Sequence, residues 1–367
     1  MKPSQDLFHL IKSMSRSEKR YFKVFAGKSA DDQNYLKVFA AIEKMKEYDE
    51  RALIKGLQSE SLGRQLPVIK NYLYKLILKS LRNFKAEKSV DFQIKERLMN
   101  ARLLIDRDLV GQAGKQLDKA AKLAVEQERF EYMSEIGVLR TNLLLHQGHD
   151  RLDGAMEELD KIFSDTQRYL DLLLTIETYR LYSLKLLILN RHVPYIRSDE
   201  NRRSYERLGR DPLLQAPPPA DSVRATLFYH QSKALISISL VDFEASFHHL
   251  DALVKTMEAH PWAIKHSPEN YLNSLQNRIS ISVNIHEPSR TQELLAEMGE
   301  FQERNPKLKL PPRLVKALKL FGYRMELEIL MKQGHLEQAA LLVTQIRAFL
   351  SLNDFRINLN EEESITY

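Results

Sequence analysis

The stretch "QGHLEQAALLV", residues 333–343, decides how this sequence is read. Leu336, Ala339 and Val343 stand at i, i+3 and i+7, one face of a helix that opens just after a turn at Gly334. The same order of a bulky residue, a small one and an aliphatic returns at Val110, Ala113 and Leu117 in "DLVGQAGKQLDKA" (108–120). It returns again at Leu152, Ala155 and Leu159 in "DRLDGAMEELDKI" (150–162), and at Phe243, Ser246 and Leu250 in "DFEASFHHL" (242–250). A side chain with little beyond Cβ lets the preceding antiparallel helix approach closely, while the bulky neighbours fill the groove on either side. Each stretch therefore reads as the second helix of a helical hairpin.

The spacing of the small residues carries the reading further. Ala113 to Ala155 is 42 residues, Ala155 to Ser246 is 91, and Ser246 to Ala339 is 93: one or two steps of about 45. Intermediate units are expected near residues 200 and 291, at "DENRRSYERLG" and "SRTQELLAEMG". A period of this length holds two helices and their turns, as an α-solenoid requires.

"MKQGHLEQAALLVTQI" resembles the turn and second helix of a tetratricopeptide-type repeat, with Gly334 at the turn, Leu336 at the large apolar position and Ala339 at the small one. The resemblance extends in weaker form over residues 88–350. The period exceeds that family's usual repeat of about 34 residues, and the first-helix Trp is absent. The order of "LIKSMSRSEKRYFKVFA", "KNYLYKLILKSLR" and the later repeats is similar to bacterial tetratricopeptide-like proteins without an assigned role. The resemblance implies an all-α fold with a right-handed superhelix of helical pairs, and little about activity.

Composition agrees with that class. The chain has 367 residues, 43% hydrophobic and 28% charged, enough for a substantial buried core. Only 12 Gly and 13 Pro leave little room for a turn-rich β fold. No cysteine is present, which excludes disulfides, thiolate catalysis and Cys-based zinc sites. After Lys2 there is no apolar run of secretory type, and the most apolar window, 172–190, carries Glu177, Arg180 and Lys185. A cytoplasmic protein without membrane association is expected.

Charge is unevenly spread. Residues 1–90 hold 19 Lys/Arg against 10 Asp/Glu, while the remainder holds 36 against 39. The basic quarter is helical by its own signals. Ser15 stands three residues before Glu18, the spacing of a capping box, and Tyr21, Phe22 and Phe25 mark the apolar face of the helix that follows. Further helices are expected over 34–45, 50–58 and 67–84, the last opening at Pro67, whose missing N–H costs nothing in a first turn. In it Ile69, Leu73, Leu76, Ile77 and Leu81 form the buried stripe, and Lys75, Lys79 and Arg82 a basic stripe opposite. Together with Lys19, Arg20 and Lys23 they are the candidate surface for an acidic partner or nucleic acid. The connection "QSESLGRQL" is longer than the tight turn of a DNA-reading helix-turn-helix, which argues against specific DNA recognition.

Catalytic and metal motifs are missing. "GQAG" (111–114) lies inside a helical pattern without the strand a phosphate loop requires, and there is no G-x-S-x-G or H-E-x-x-H. Adjacent His248 and His249 project about 100° apart on a helix and so cannot easily share a metal. The lone Trp262, between Pro261 and Pro268, reads either as a recognition anchor in a connecting loop or as a plug over a helical pair. Proline-rich breaks are expected at 213–222, with Asp221 capping the next helix, and at 305–314.

The sequence thus predicts a basic helical module over 1–87, a tetratricopeptide-like solenoid over 88–350, and a tail over 351–367 that is either frayed or an attachment peptide. The expected function is a non-enzymatic scaffold holding a peptide or partner protein in the solenoid groove, with no cofactor, metal or small-molecule substrate. The alternative is a nucleic-acid-associated regulator acting through residues 1–87.

Overall fold

The computed structural model describes residues 5–27, 32–56, 60–86, 89–146, 152–193, 195–285, 287–304 and 312–352. Among the described residues the chain is α-helical, with two short 3-10 turns and no strand. The all-α expectation holds. No described helix is long and apolar enough to cross a membrane. The tail from residue 353 on, and the break at 305–311, lie outside the described residues. The chain divides into two compact units, Met1–Phe163 and Ser164–Tyr367.

The first unit opens with α1 (Asp6–Ser13), α2 (Arg16–Ala26), α3 (Asp32–Lys44), α4 (Glu50–Gly56) and α5 (Glu60–Ala86). The capping box forms: the Glu18 amide donates to Ser15 Oγ at 3.3 Å, and the Ser15 amide to Glu18 Oε2 at 2.8 Å. Phe22 of α2 packs on Phe39 of α3 with ring centroids 4.7 Å apart. Ile11, Ile42, Leu53, Leu73 and Ile77 complete a core to which all five helices contribute. One boundary differs from expectation. Pro67 lies inside α5, not in its first turn. Leu66 is buried in the same core as Ile69 and Leu73, so the apolar stripe runs through the proline and outweighs the rung that its missing amide removes. Residues 60–66 of "QSESLGRQL" therefore belong to α5. Beyond it come α6 (Val90–Ile105), α7 (Val110–Glu126) and α8 (Met133–His146).

The 41-residue helix α9 (Leu152–His192), about 60 Å long by its rise, begins in the first unit and ends in the second. There follow α10 (Asp199–Gly209), α11 (Val223–Ser239), α12 (Phe243–Ala259), α13 (Pro261–His266), α14 (Pro268–Ile285), α15 (Pro288–Gly299), α16 (Phe301–Arg304), α17 (Pro312–Lys332) and α18 (Leu336–Leu352). Val254, Tyr271, Leu275, Leu294, Phe301 and Phe321 form the core from α12 to α17. The cap of α11 is Ser222, whose side chain accepts from the Ala225 amide at 3.2 Å, and not Asp221.

Three hairpins, α6–α7, α11–α12 and α17–α18, share one turn. Asp108, Val241 and Gly334 adopt positive φ (56°, 66° and 74°) two residues before the second helix begins. The amides of Leu109, Asp242 and His335 then reach back five residues, to the carbonyls of Leu104, Ser237 and Leu330, at 2.9, 2.8 and 2.9 Å. This is the Schellman termination, which satisfies carbonyls that the helix end would otherwise strand. The small residues follow at the same offset: Ala113, Ser246 and Ala339 are all buried. Ser246 donates its hydroxyl to the Ala234 carbonyl across the α11–α12 crossing at 3.2 Å.

Near residue 291, Thr291 of α15 is buried with its hydroxyl 3.1 Å from that of Ser282 on α14. The segment near residue 200 is the short helix α10. The stretch at 150–162 does not behave like the others. Ala155 is only half-buried between exposed Leu152 and Leu159, because the segment opens a long continuous helix that leaves this face unpacked. Leu336 is exposed too, and Ala339 and Leu342 carry the buried face of α18.

Candidate functional site

The basic candidate surface separates into two groups. On α5, Lys75, Lys79 and Arg82 are exposed on the side away from buried Ile69, Leu73 and Ile77. They project along about 10 Å of helix and make no ion pair among the described residues. On α2, Lys23 pairs with Glu43 of α3 at 2.8 Å and Lys19 approaches the same carboxylate at 3.8 Å. The hydrogen bond from Lys23, aided by the charges of Lys19 and Lys12 and opposed by burial, holds the Glu43 carboxyl below its ordinary range. Arg20 is exposed and, with Arg16 and Val24, lines a cleft of about 590 Å³ beside this pair. The two groups sit on helices joined by the Tyr21–Phe84 ring contact, with centroids 5.3 Å apart.

A polar lock near the base of α5 escaped sequence reasoning. Lys70 donates to the Tyr48 hydroxyl at 2.7 Å and to Glu50 at 2.9 Å, while Tyr48 donates to Glu50 at 2.6 Å. The Tyr48 hydrogen bond and then Lys70 hold the Glu50 carboxyl below its usual value. All three groups are satisfied by one another, so the arrangement is structural.

In the second unit, α15, α16, α17 and α18 line an apolar groove of about 710 Å³. Leu295, Met298, Leu318, Tyr323 and Ile329 line it, with Lys319, Glu326 and Gln338 supplying polar atoms. Lys319 stands over the rings of Tyr323 and Phe349 at 5.8 and 5.4 Å, and these two rings meet edge to face. Gly322 belongs to the lining, and a Cβ added there would meet no atom within 4 Å. The absent side chain keeps that part of the groove open. Apolar walls with a few polar atoms suit an apolar protein segment fixed in orientation by one or two polar contacts.

Trp262 lies in the short helix α13 rather than in a loop, because Pro261 starts a helical turn and Ala263 and Ile264 bury against the core. Its ring is half-buried. His249 finds its partner across the hairpin rather than beside it in sequence: its Nδ1 is 3.0 Å from Nδ1 of His230 on α11. No third His, Asp or Glu joins them in a metal-binding group among the described residues.

Arg278 of α14 is the other group that sequence reasoning missed. It is buried and donates to Asp251 of α12 at 3.1 Å and to Glu297 of α15 at 2.7 Å. Burial alone would raise the Asp251 carboxyl, but Lys255 and Arg278 hold it below its usual value. One guanidinium thus ties three helices together next to the groove wall.

Compared with known protein families, curated proteins and solved structures, the chain has no match.

Proposed function

We propose that this protein is a non-enzymatic interaction scaffold that holds an apolar segment of a protein partner in the groove of its second unit. The observation carrying this reading is the groove itself: an apolar cleft of about 710 Å³ whose opening at Gly322 has room for a partner side chain. The shared hairpin turn at Asp108, Val241 and Gly334 supports a tetratricopeptide-like repeat over 88–350, an architecture suited to such grooves. A cytoplasmic setting suits a chain without cysteine. The test is Gly322→Leu, which puts an isobutyl group into the groove at a position where its Cβ meets no atom within 4 Å. Proteins co-purifying with the wild type are expected to be lost from this variant while its melting temperature is maintained. Retention of every partner by a folded Gly322→Leu protein would overturn the reading.

A second reading rests on a different observation. Among the described residues Lys75, Lys79 and Arg82 are exposed without carboxylate partners, whereas Lys23 and Lys70 have theirs. Nucleic-acid contact through residues 1–87 would use these three for phosphates. Reversal of all three to Glu is then expected to abolish a salt-sensitive gel shift with helicity unchanged. A shift that persists in the triple variant excludes the stripe as the contact.

A further inference from the structure

The part of α9 within the second unit has two apolar faces, and only one is used. Ile176, Tyr179, Ser183 and Leu186 turn inward, where Tyr179 donates to the Leu213 carbonyl at 3.1 Å and meets the Tyr229 ring edge-on. On the opposite side Leu170, Leu174, Leu181, Leu184 and Ile188 are exposed, Leu174 by 68%. Their spacing, with Glu177 included, alternates four and three residues. This is the seam of a coiled coil, with Leu174, Leu181 and Ile188 at a and Leu170, Glu177 and Leu184 at d. The buried residues occupy c and f, so the seam points away from the core.

We infer that this seam pairs with the same seam of a second copy of the chain, antiparallel, about a two-fold axis beside Thr178 and Arg180. The charges choose both partner and direction. In that register Leu170 meets Ile188 of the second copy, and Leu174 meets its Leu184. Asp171 at e meets Lys185 at e, and Leu173 at g meets Leu187 at g, each contact occurring twice by symmetry. Glu177 faces Leu181 of the other copy, and Arg180 at g meets its own symmetry mate, a like-charge contact offset because each Arg180 is held by Glu177 of its own helix. A parallel pair would instead set Glu177 against Glu177 in the seam and Arg180 against Lys185 at its edge, so like charges disfavour it. Covering the exposed leucines and Ile188 on both copies removes on the order of 1,000 Å² from water, the lower bound of a specific interface, so the dimer is expected to be micromolar rather than nanomolar.

Sedimentation equilibrium of the full chain from about 1 to 200 µM is expected to show a monomer–dimer equilibrium. Leu174→Glu with Leu181→Glu should give a monomer throughout, with the helical circular dichroism of the wild type. Lys185→Asp should weaken the dimer at least tenfold, and Asp171→Lys added to it should restore the affinity. Because the chain has no cysteine, Thr178→Cys supplies a single thiol near the axis, and mild oxidation should yield a covalent dimer. A wild type that stays monomeric at 200 µM overturns the proposal, as does a dimer that survives the double leucine substitution in folded protein. Failure of Asp171→Lys to rescue Lys185→Asp overturns the antiparallel register.

Discussion

The Nδ1 atoms of His230 on α11 and His249 on α12 lie 3.0 Å apart, so one imidazole donates and the other accepts. Two imidazolium rings cannot make this contact. Burial first, then the charges of His230, Lys233 and His248, lowers the His249 pKa to about 4, with Asp242 opposing; burial and His248 also depress His230. In the unfolded chain both return to about 6.5, so the unfolded state binds more protons between pH 4 and 6.5. Stability contributed by the pair is present above about pH 6.5 and is lost as the pH falls towards 4. Urea unfolding at pH 7.5 and 4.5 is expected to show a loss about 2 kcal/mol smaller in His249→Leu than in the wild type. Equal losses in the two proteins would refute the assignment.

Arg278 is buried between two carboxylates from different helices. Arg278→Ala leaves Asp251 and Glu297 without their shared counter-ion and should cost about 3–5 kcal/mol. Lys255 also reaches Asp251, at 2.7 Å, but its side chain is largely exposed. Lys255→Ala should cost no more than about 1 kcal/mol, and comparing the two by urea midpoint checks the distinction.

Val241 holds φ at 66° with its side chain 64% exposed, so it bears the backbone strain of the shared turn without packing in return. A β-branched residue pays about 1–2 kcal/mol there, part of which glycine returns as unfolded-state entropy. Val241→Gly is expected to stabilise the protein by about 0.5–1 kcal/mol. A lower melting temperature in the variant would contradict the turn geometry.

Ala113 and Ala339 are buried on the inner faces of their hairpins. Ala339→Leu should destabilise by about 1–3 kcal/mol through overpacking, whereas Ala155→Leu, on an unpacked face, should stay within about 0.5 kcal/mol. Thermal melts of the two variants side by side measure this.

The features legible in the sequence were those with local causes. Ser15 and Glu18 are three residues apart, and the stripe from Ile69 to Leu81 repeats within one helix, so each needs only helical geometry to be seen. The small residues of the hairpins were visible because the crossing demands them at a fixed offset from the turn. Leu152 and Leu159 fit the same template yet lie exposed: periodicity marks an apolar face but does not say what covers it. The unbroken length of α9 had a signal, since no Gly or Pro occurs from Ala155 to Val193, but the repeat reading imposed a break there. Pro67 misled because its local preference yielded to the burial of Leu66. The candidate sites were less legible because they depend on residues brought together from afar. Glu43 neutralises Lys23 from 20 residues away, and Arg278 collects Asp251 and Glu297 from either side in sequence. The groove around Gly322 involves four helices, and no pattern within one of them announces it.

The common turn of the three hairpins also bears on how the chain acquires its shape. At α11–α12 the crossing contacts, from Ser246 to Ala234 and from His249 to His230, span only 12 and 19 residues, and the turn between the helices is completed by hydrogen bonds local to itself. Closing so small a loop costs little entropy, and formation of such contacts is fast. Each hairpin can therefore close soon after its second helix leaves the ribosome, before the next has been made. Synthesis from the N-terminus then meets a succession of short, independent closures rather than one distant pairing.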